Sequence, residues 1–134
     1  MIFVDVPLET QFYDLDPMSV VWHGHYARFF EQARCRLLDK IGYSYLEMKA
    51  SGFVWPVVEM QIKYVGSLGF PQSFVVTASL MEYENRIKIG YVIRNQKGAV
   101  LTKAATTQVA VEIATGELQL ESPAILIEKV KAVS

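Results

Sequence analysis

A long helical repeat of apolar residues in the first third of the chain constrains the fold more than any other feature. Its apolar side chains follow the i, i+3, i+4, i+7 spacing of one helix face: Tyr26, Phe29, Phe30, Ala33, Leu37 and Ile41. Lys40 in the last turn and Gly42 just beyond it are residue types that commonly end a helix. The pattern therefore predicts one helix of about five turns, whose single wide apolar face has to be covered by the rest of the chain.

After Gly52 the apolar residues change to the two-residue period of β-strands. In the first such strand, apolar residues that we expect to form a buried face alternate with polar ones: Val58, Met60, Ile62 and Tyr64 with Glu59, Gln61 and Lys63. Three more strands are predicted at about 74–80, 87–93 and 99–113. The last of these places five apolar residues on one face: Leu101, Ala105, Val109, Val111 and Ile113.

Two shorter helices complete the predicted elements. One is expected at about 44–50, and the other over 123–131, where Ser122-Pro123 suits an N-cap and a first helical position. With an apolar N-terminal strand, the main elements follow in the order β-α-β-β-β-β. We predict the α+β class, in which a mostly antiparallel five-stranded sheet wraps a central helix. No linker or repeat divides the 134 residues, so we predict a single domain over 1–134.

The distribution of charge and apolar residues argues against several kinds of partner and location. The net charge is −1 and the basic residues are scattered, so we expect no binding to nucleic acid or to an anionic membrane surface. No apolar run approaches the ~20 residues of a membrane span, and the first ten residues lack the basic start of a signal peptide. Cys35 is the only cysteine and cannot form an internal disulfide, which agrees with a cytoplasmic location.

Two carboxylates, Asp14 and Asp16, stand between the first strand and the start of the long helix. The first turn of a helix has backbone N–H groups without intrahelical partners, and its end of the helix dipole is positive. A carboxylate beside such donors is an arrangement that can attack a carbonyl carbon and hold the resulting oxyanion. The alternative is that one acid caps the loop and the other is solvated.

The helix begins near His23 and His25, which are compatible with metal binding or with acid–base catalysis. A zinc site needs three or four ligands, so two histidines give a weak metal signal even with Asp14 and Asp16 nearby. We expect no metal and no cofactor. For His25 the alternative is an exposed residue of the first helical turn.

The stretch from Asp14 to Tyr26 follows the pattern D-x-D-P-x-x-x-V-[WY]-x-x-x-Y. This pattern resembles the signature of the 4-hydroxybenzoyl-CoA thioesterase family, and the length and element order of the whole chain are similar as well. The resemblance implies the hot-dog fold, a long helix wrapped by an antiparallel sheet. It also implies a homodimer or homotetramer with active sites at the subunit interface. Many members have a glycine where Met18-Ser19 stand here, so we expect a bulkier loop beside Asp16.

The resemblance assigns roles to particular residues. Asp16 is implied to be the catalytic carboxylate, acting as nucleophile or general base, and the backbone N–H of His23 is implied to hold the oxyanion. Trp22 and Tyr26 are implied to bind substrate. Arg86, with Lys88 beyond it, matches the basic residues that some members use for nucleotide phosphates at the turn between the third and fourth predicted strands.

A further segment, with Phe53, Val54, Trp55 and Pro56, is implied to lie near the acyl end of the substrate tunnel. Packing in the core is its alternative. The bulk of Trp55 and Phe53 favours a short or aromatic acyl group over a long chain.

The resemblance predicts a hydrolase that cleaves acyl-CoA to free acid and CoA, with acyl-carrier protein as the alternative carrier. Two other functions stay open: a hot-dog hydratase or dehydratase, and a non-catalytic acyl-CoA-binding module. The D-x-D-P loop at Asp14 argues against the dehydratase, which uses a histidine and an acid in a different segment.

Overall fold

The computed structural model describes all 134 residues of the chain. Its helices and strands follow in the order β1 (Phe3–Glu9), α1 (Tyr26–Ile41), α2 (Tyr45–Ala50), β2 (Phe53–Val54), β3 (Val57–Tyr64), β4 (Ser73–Glu82), β5 (Ile87–Asn95), β6 (Val100–Gln108), β7 (Val111–Glu112) and α3 (Ala124–Val133). Two short 3-10 turns, Phe12–Asp14 and His23–His25, lie between β1 and α1. The predicted α+β class is confirmed.

The main sheet has five strands in the order β1-β4-β5-β6-β3. Every neighbouring pair is antiparallel, and β2 and β7 form a separate antiparallel pair. Helix α1 packs against β4 and β1. Strands β1 and β3 are the two edges of the sheet, and the main contacts of the helix are on the β1 side.

The predicted apolar stripe of α1 faces the core along its whole length. Phe30, Ala33 and Leu37 are fully buried, and the other stripe residues are at most 3% exposed. Gly42 ends the helix with φ of 82°, a left-handed conformation that costs glycine little because it has no Cβ. The helix and its predicted end are confirmed.

Arg34 is a buried cation on the same side of α1 that no carboxylate approaches within 4 Å. Its Nε donates a hydrogen bond of 2.7 Å to the hydroxyl of Tyr45, and Gln108 donates one of 3.3 Å to the same oxygen. The start of α2 is therefore connected both to α1 and to the end of β6.

The prediction that β3, the first strand after Gly52, has a buried apolar face is wrong for the single chain. Val58 is 57% exposed, Met60 44% and Tyr64 46%, and only Ile62 is partly buried. The physical reason is that β3 is an edge strand far from α1 in the strand order, so the chain provides no second layer over it.

The predicted strand over 99–113 is interrupted. Strand β6 ends at Gln108, and β7 leaves the main sheet to pair with β2. The buried side chains of β6 are polar, among them Thr102, Thr106 and Gln108, rather than the predicted apolar set. The Thr106 hydroxyl is hydrogen-bonded to that of Tyr91 at 2.8 Å, and the Gln108 Nε2 donates to the carbonyl of Trp55 at 2.7 Å, so these two buried polar groups have partners.

The terminal helix is present but begins one residue later than predicted. Pro123 occupies the cap position of α3, and Ser122 makes no capping hydrogen bond. The short helix predicted at 44–50 is confirmed as α2, where the Ser44 side chain accepts the Glu47 N–H. None of the helices combines the length and apolar character that crossing a membrane requires.

Candidate active site

Asp14 is buried at the centre of the segment that leads into α1. Its Oδ2 accepts the N–H of Gln11 at 2.9 Å, its Oδ1 forms an ion pair with the Arg28 guanidinium, and its backbone carbonyl accepts the N–H of Trp22 at 3.0 Å. Strand β1 ends at Glu9, so Asp14 lies beyond the strand, in the 3-10 turn Phe12–Asp14. Asp14 connects the loop after β1, the loop before α1 and the first turn of α1.

Asp16 lies in a tight loop that is closed by a bridge between Leu15 and Val21. Its N–H donates to the carbonyl of Val20 at 2.8 Å, and its Oδ1 accepts the N–H of Met18 at 2.8 Å. That is the only hydrogen bond of its side chain, which is partly exposed. Asp16 therefore has a fixed backbone and a carboxylate oxygen free to act on another molecule.

Ser19 has a backbone conformation that is unusual for a residue other than glycine. Its φ is 62°, in the left-handed region that favours glycine and costs other residues about 1–2 kcal/mol. At Met18-Ser19, where we expected a bulkier loop, the backbone at Ser19 thus has a conformation that would suit glycine.

The start of α1 has two backbone donors without acceptors. The chain enters through the 3-10 turn His23–His25, in which the His25 N–H donates to the Trp22 carbonyl at 2.9 Å and the Tyr26 N–H donates to the His23 carbonyl. None of the turn, loop and cap hydrogen bonds uses the N–H of His23 or of Gly24. These free groups lie at the positive end of the helix dipole.

Aromatic rings surround this turn. The ring of Trp22 lies 5.3 Å from each of the rings of His23 and His25, and Tyr64 of β3 lies 4.9 Å from Tyr26. The Tyr64 hydroxyl donates a hydrogen bond of 3.0 Å to the His23 carbonyl. Burial raises the pKa of both tyrosine phenols, so they are protonated donors at neutral pH.

Gly24 is required by the position of the indole. A Cβ on Gly24 would lie 2.4 Å from an atom of the Trp22 ring, which is well inside van der Waals contact. Any larger residue at this position has to displace the indole from the start of α1.

The segment predicted to lie at the acyl end is not brought to this turn. Trp55 is buried, and its indole N–H donates to the hydroxyl of Tyr43 at 3.4 Å. Phe53 and Val54 pair with β7, and Pro56 is exposed. No hydrogen bond or ring contact joins these residues to Asp16 or to the start of α1.

Arg86 and Lys88 also lie apart from the carboxylate, at the turn between β4 and β5. The Arg86 Nε is 3.2 Å from a carboxylate oxygen of Glu82, on a largely exposed surface. Lys88 is partly buried on β5. Any phosphate that binds here has to compete with Glu82 for the guanidinium.

Sequence reasoning missed Arg28, Gly24 and Tyr64 as parts of this site. Arg28 lies on the polar face of α1 and Tyr64 fits the apolar alternation of β3, so both patterns have an ordinary explanation. The available signal for Arg28 was the apolar neighbourhood of Asp14, which requires a cationic or N–H partner for a buried carboxylate.

Comparison with known proteins places this geometry in a family. The sequence pattern of the thioesterase-like superfamily matches residues 10–131, which include the Asp16 loop, α1 and the sheet from β3 to β6. The chain belongs to the thioesterase-like superfamily. The resemblance found in the Asp14–Tyr26 stretch is thereby confirmed.

This thioesterase-like chain is similar to YneP of Bacillus subtilis (strain 168), which is classed as a candidate acyl-CoA thioesterase. The two are 28% identical over 106 residues, or 78% of this chain and 77% of YneP. The DHNA-CoA thioesterase of Staphylococcus aureus superposes with a TM-score of 0.84 and 27% identity, over 99% of this chain and 93% of that one. The 1,4-dihydroxy-2-naphthoyl-CoA thioesterase of Synechocystis also gives 0.84, at 16% identity and 96% of each chain. The predicted hot-dog fold is confirmed.

The two aspartates are expected to differ in their effect on stability. Asp14→Asn removes the charge that pairs with Arg28 and should lower the free energy of unfolding by about 1–2 kcal/mol, since half-exposed Arg28 can be rehydrated. Asp16→Asn keeps an oxygen for the Met18 N–H and should change it by less than ~0.5 kcal/mol. Urea unfolding at one fixed protein concentration compares them. Equal stability of the two variants would contradict the structural role given to Asp14.

Proposed function

We propose that this protein hydrolyses the thioester of acyl-CoA and releases the free acid and CoA. The observation that carries the proposal is the arrangement at the start of α1, where a carboxylate with a free oxygen precedes two unoccupied N–H groups. Membership of the thioesterase-like superfamily supports it. The names of YneP and of the staphylococcal DHNA-CoA thioesterase support acyl-CoA as the substrate class.

In the proposed reaction Asp16 acts on the thioester carbonyl by one of two routes. As a nucleophile, a carboxylate oxygen attacks the carbonyl carbon, the CoA thiolate leaves, and water hydrolyses the resulting mixed anhydride. As a general base, Asp16 takes a proton from the water that attacks the carbon, the C–S bond of the tetrahedral intermediate then breaks, and the CoA thiolate leaves and is protonated. Both routes place negative charge on the carbonyl oxygen, which the His23 N–H stabilises by a hydrogen bond.

Asp14 and Arg28 support this chemistry without taking part in it. Asp14 is buried, and both of its carboxylate oxygens already accept hydrogen bonds. The backbone carbonyl of Asp14 accepts the Trp22 N–H, so Asp14 also holds the residue next to His23. Its role in the proposal is to fix the loop relative to α1.

For the acyl group we propose a short or aromatic substrate. The DHNA-CoA thioesterase similarity supports an aromatic acyl group, and the half-exposed rings of Trp22 and Tyr64 beside the two donors provide surfaces for stacking. Arg86 and Lys88 stay a prediction for the nucleotide phosphates, and binding there requires Arg86 to exchange Glu82 for phosphate.

We also propose that the active protein is a dimer or a tetramer. The edge strand β3 exposes Val57, Val58 and Met60, and an exposed apolar edge is a site for pairing with another chain. Asp16 and His23 line none of the five main grooves of the single chain, which measure 310 to 440 Å³. A second copy paired at β3 would enclose the turn that contacts Tyr64.

Asp16→Asn keeps the shape of the side chain and removes its charge, so acyl-CoA hydrolysis should fall by ~10²-fold or more. The measurement is thiol release over a panel of acyl-CoAs. Asp39→Asn, an exposed change on the outer side of α1, is the matched control. Asp14→Asn should reduce the rate less. Full activity of Asp16→Asn would refute the assignment, and a wild-type protein that binds but releases no thiol would favour the non-catalytic module.

His23→Ala separates the backbone of His23 from its imidazole. If the N–H holds the oxyanion, the variant keeps that donor and should retain turnover within about tenfold, since removing a donor costs ~3 kcal/mol and this change removes none. Rates from pH 5.5 to 9 check it. A loss beyond ~10²-fold, with a shifted acidic limb, would show that the imidazole acts as an acid or base.

Sedimentation at micromolar concentration should show a dimer or tetramer. Val58→Glu places a charge on the exposed apolar edge of β3 and should weaken the assembly by at least tenfold in its dissociation constant. Leu120→Glu, a change at a residue that is even more exposed than Val58 but lies outside both sheets, is the control. A stable wild-type monomer would count against the proposed assembly.

A further inference from the structure

Tyr64 makes a contact with the start of α1 that the proposed chemistry has not used. It is the last residue of β3, and its hydroxyl donates a hydrogen bond of 3.0 Å to the backbone carbonyl of His23. Its ring packs edge-on against Tyr26 at 4.9 Å and lies 6.5 Å from the His23 ring. A side chain from the sheet edge is therefore held by two aromatic neighbours while it hydrogen-bonds one particular peptide group.

That peptide group carries a donor of its own. The carbonyl of His23 and the N–H of Gly24 belong to one planar trans unit and point in opposite directions. A group that fixes the direction of the His23 carbonyl consequently fixes the direction of the Gly24 N–H. No turn, loop or cap hydrogen bond uses this N–H, so it is available to an acceptor from outside the chain.

The contact also affects how strong a donor the Gly24 N–H is. The His23 carbonyl accepts two hydrogen bonds, one from the Tyr64 hydroxyl and one from the Tyr26 N–H. Hydrogen bonds to a carbonyl polarise the whole peptide unit and strengthen the hydrogen bond that its N–H donates, by about 10–30% for each bond. Burial raises the pKa of Tyr64, which keeps its hydroxyl a donor across the neutral range.

The Trp22 indole restrains the same peptide from another direction. A Cβ on Gly24 would overlap the indole, so the ring lies directly against the Cα of Gly24. Movement of this peptide is thus limited by Trp22 on the Gly24 side and by Tyr64 on the carbonyl side.

We propose that the Gly24 N–H is a second oxyanion donor beside that of His23, and that Tyr64 is the positioning residue that orients and polarises it. The inference rests on the proposed thioesterase function and deepens it. Tyr64 acts through the peptide and makes no contact with the reacting atoms. The expected signature is a change in the rate of the chemical step with little change in substrate binding.

Tyr64→Phe removes the hydroxyl and keeps the ring contacts. With an acyl-CoA that the wild type hydrolyses, kcat should fall about tenfold while KM stays within about twofold, because the donor is misoriented but still present. The melting temperature and the pH profile should stay close to those of the wild type. The matched control is Tyr83→Phe, which should keep the wild-type kcat. Tyr83 lies at the turn between β4 and β5, and its hydroxyl makes no hydrogen bond.

A second measurement does not depend on activity. The backbone amide of Gly24 should move in a ¹H–¹⁵N NMR spectrum of Tyr64→Phe, because the hydrogen bond to its own peptide carbonyl is lost, and should stay in place in Tyr83→Phe. Wild-type kcat in Tyr64→Phe, or an unmoved Gly24 amide, would overturn the inference and leave the thioesterase proposal intact. Absence of thiol release from the wild type, or full activity of Asp16→Asn, would instead overturn the proposed function and this inference with it.

Discussion

The packing of α1 against the sheet is the interaction on which the rest of the structure depends. The Phe29 ring contacts Phe74 with centroids 5.1 Å apart, and the Phe30 ring contacts Tyr91 at 4.8 Å. Burial of one such side chain contributes about 1.5–3 kcal/mol, and the helix buries a continuous stripe of them. Because a helix is stiff, this packing also fixes where its first turn lies, and therefore where the free N–H groups of His23 and Gly24 point.

The segment before α1 holds two aspartates, two residues apart, in different environments. Asp14 is 1% exposed, and its two carboxylate oxygens are paired with the Gln11 N–H and the Arg28 guanidinium. Asp16 has a constrained backbone and a side chain with a single hydrogen bond. A buried carboxylate with all of its partners inside the protein suits a structural role, and a partly exposed one with a free oxygen suits a reaction with a substrate.

Local periodicity predicted the parts of the fold that depend on one element and its immediate neighbour. The stripe from Tyr26 to Ile41 and the stop at Gly42 could be read because a helix repeats its core face every turn. The exposure of β3 could not be predicted in this way. Alternation shows which side chains share a face of a strand, but it does not show which strand lies at the edge of the sheet. The polar interior of β6 was missed for a related reason, since Thr106 and Gln108 are buried by virtue of partners distant in sequence.

The same distinction applies to the candidate site. The resemblance of the D-x-D-P stretch to a family signature implied the roles of Asp16 and His23, and the free donors follow from any helix start. Arg28 could not be selected from the charged residues of α1, because its ion pair depends on the fold of the loop that holds Asp14. Tyr64 reaches the His23 carbonyl only after the sheet has formed, so no local pattern distinguishes it from the other apolar residues of β3.

The position of Tyr64 on a free sheet edge has a thermodynamic consequence. Strand β3 has a neighbour on one side only, so its last residue is ordered by one set of backbone hydrogen bonds. Any chain that pairs with this edge and restricts Tyr64 also restricts the His23–Gly24 peptide. Linkage then requires the reverse: a ligand that prefers the restricted peptide strengthens the pairing of the edge by the same factor. In the proposed assembly, subunit affinity and occupancy of the helix start would be two readings of one equilibrium.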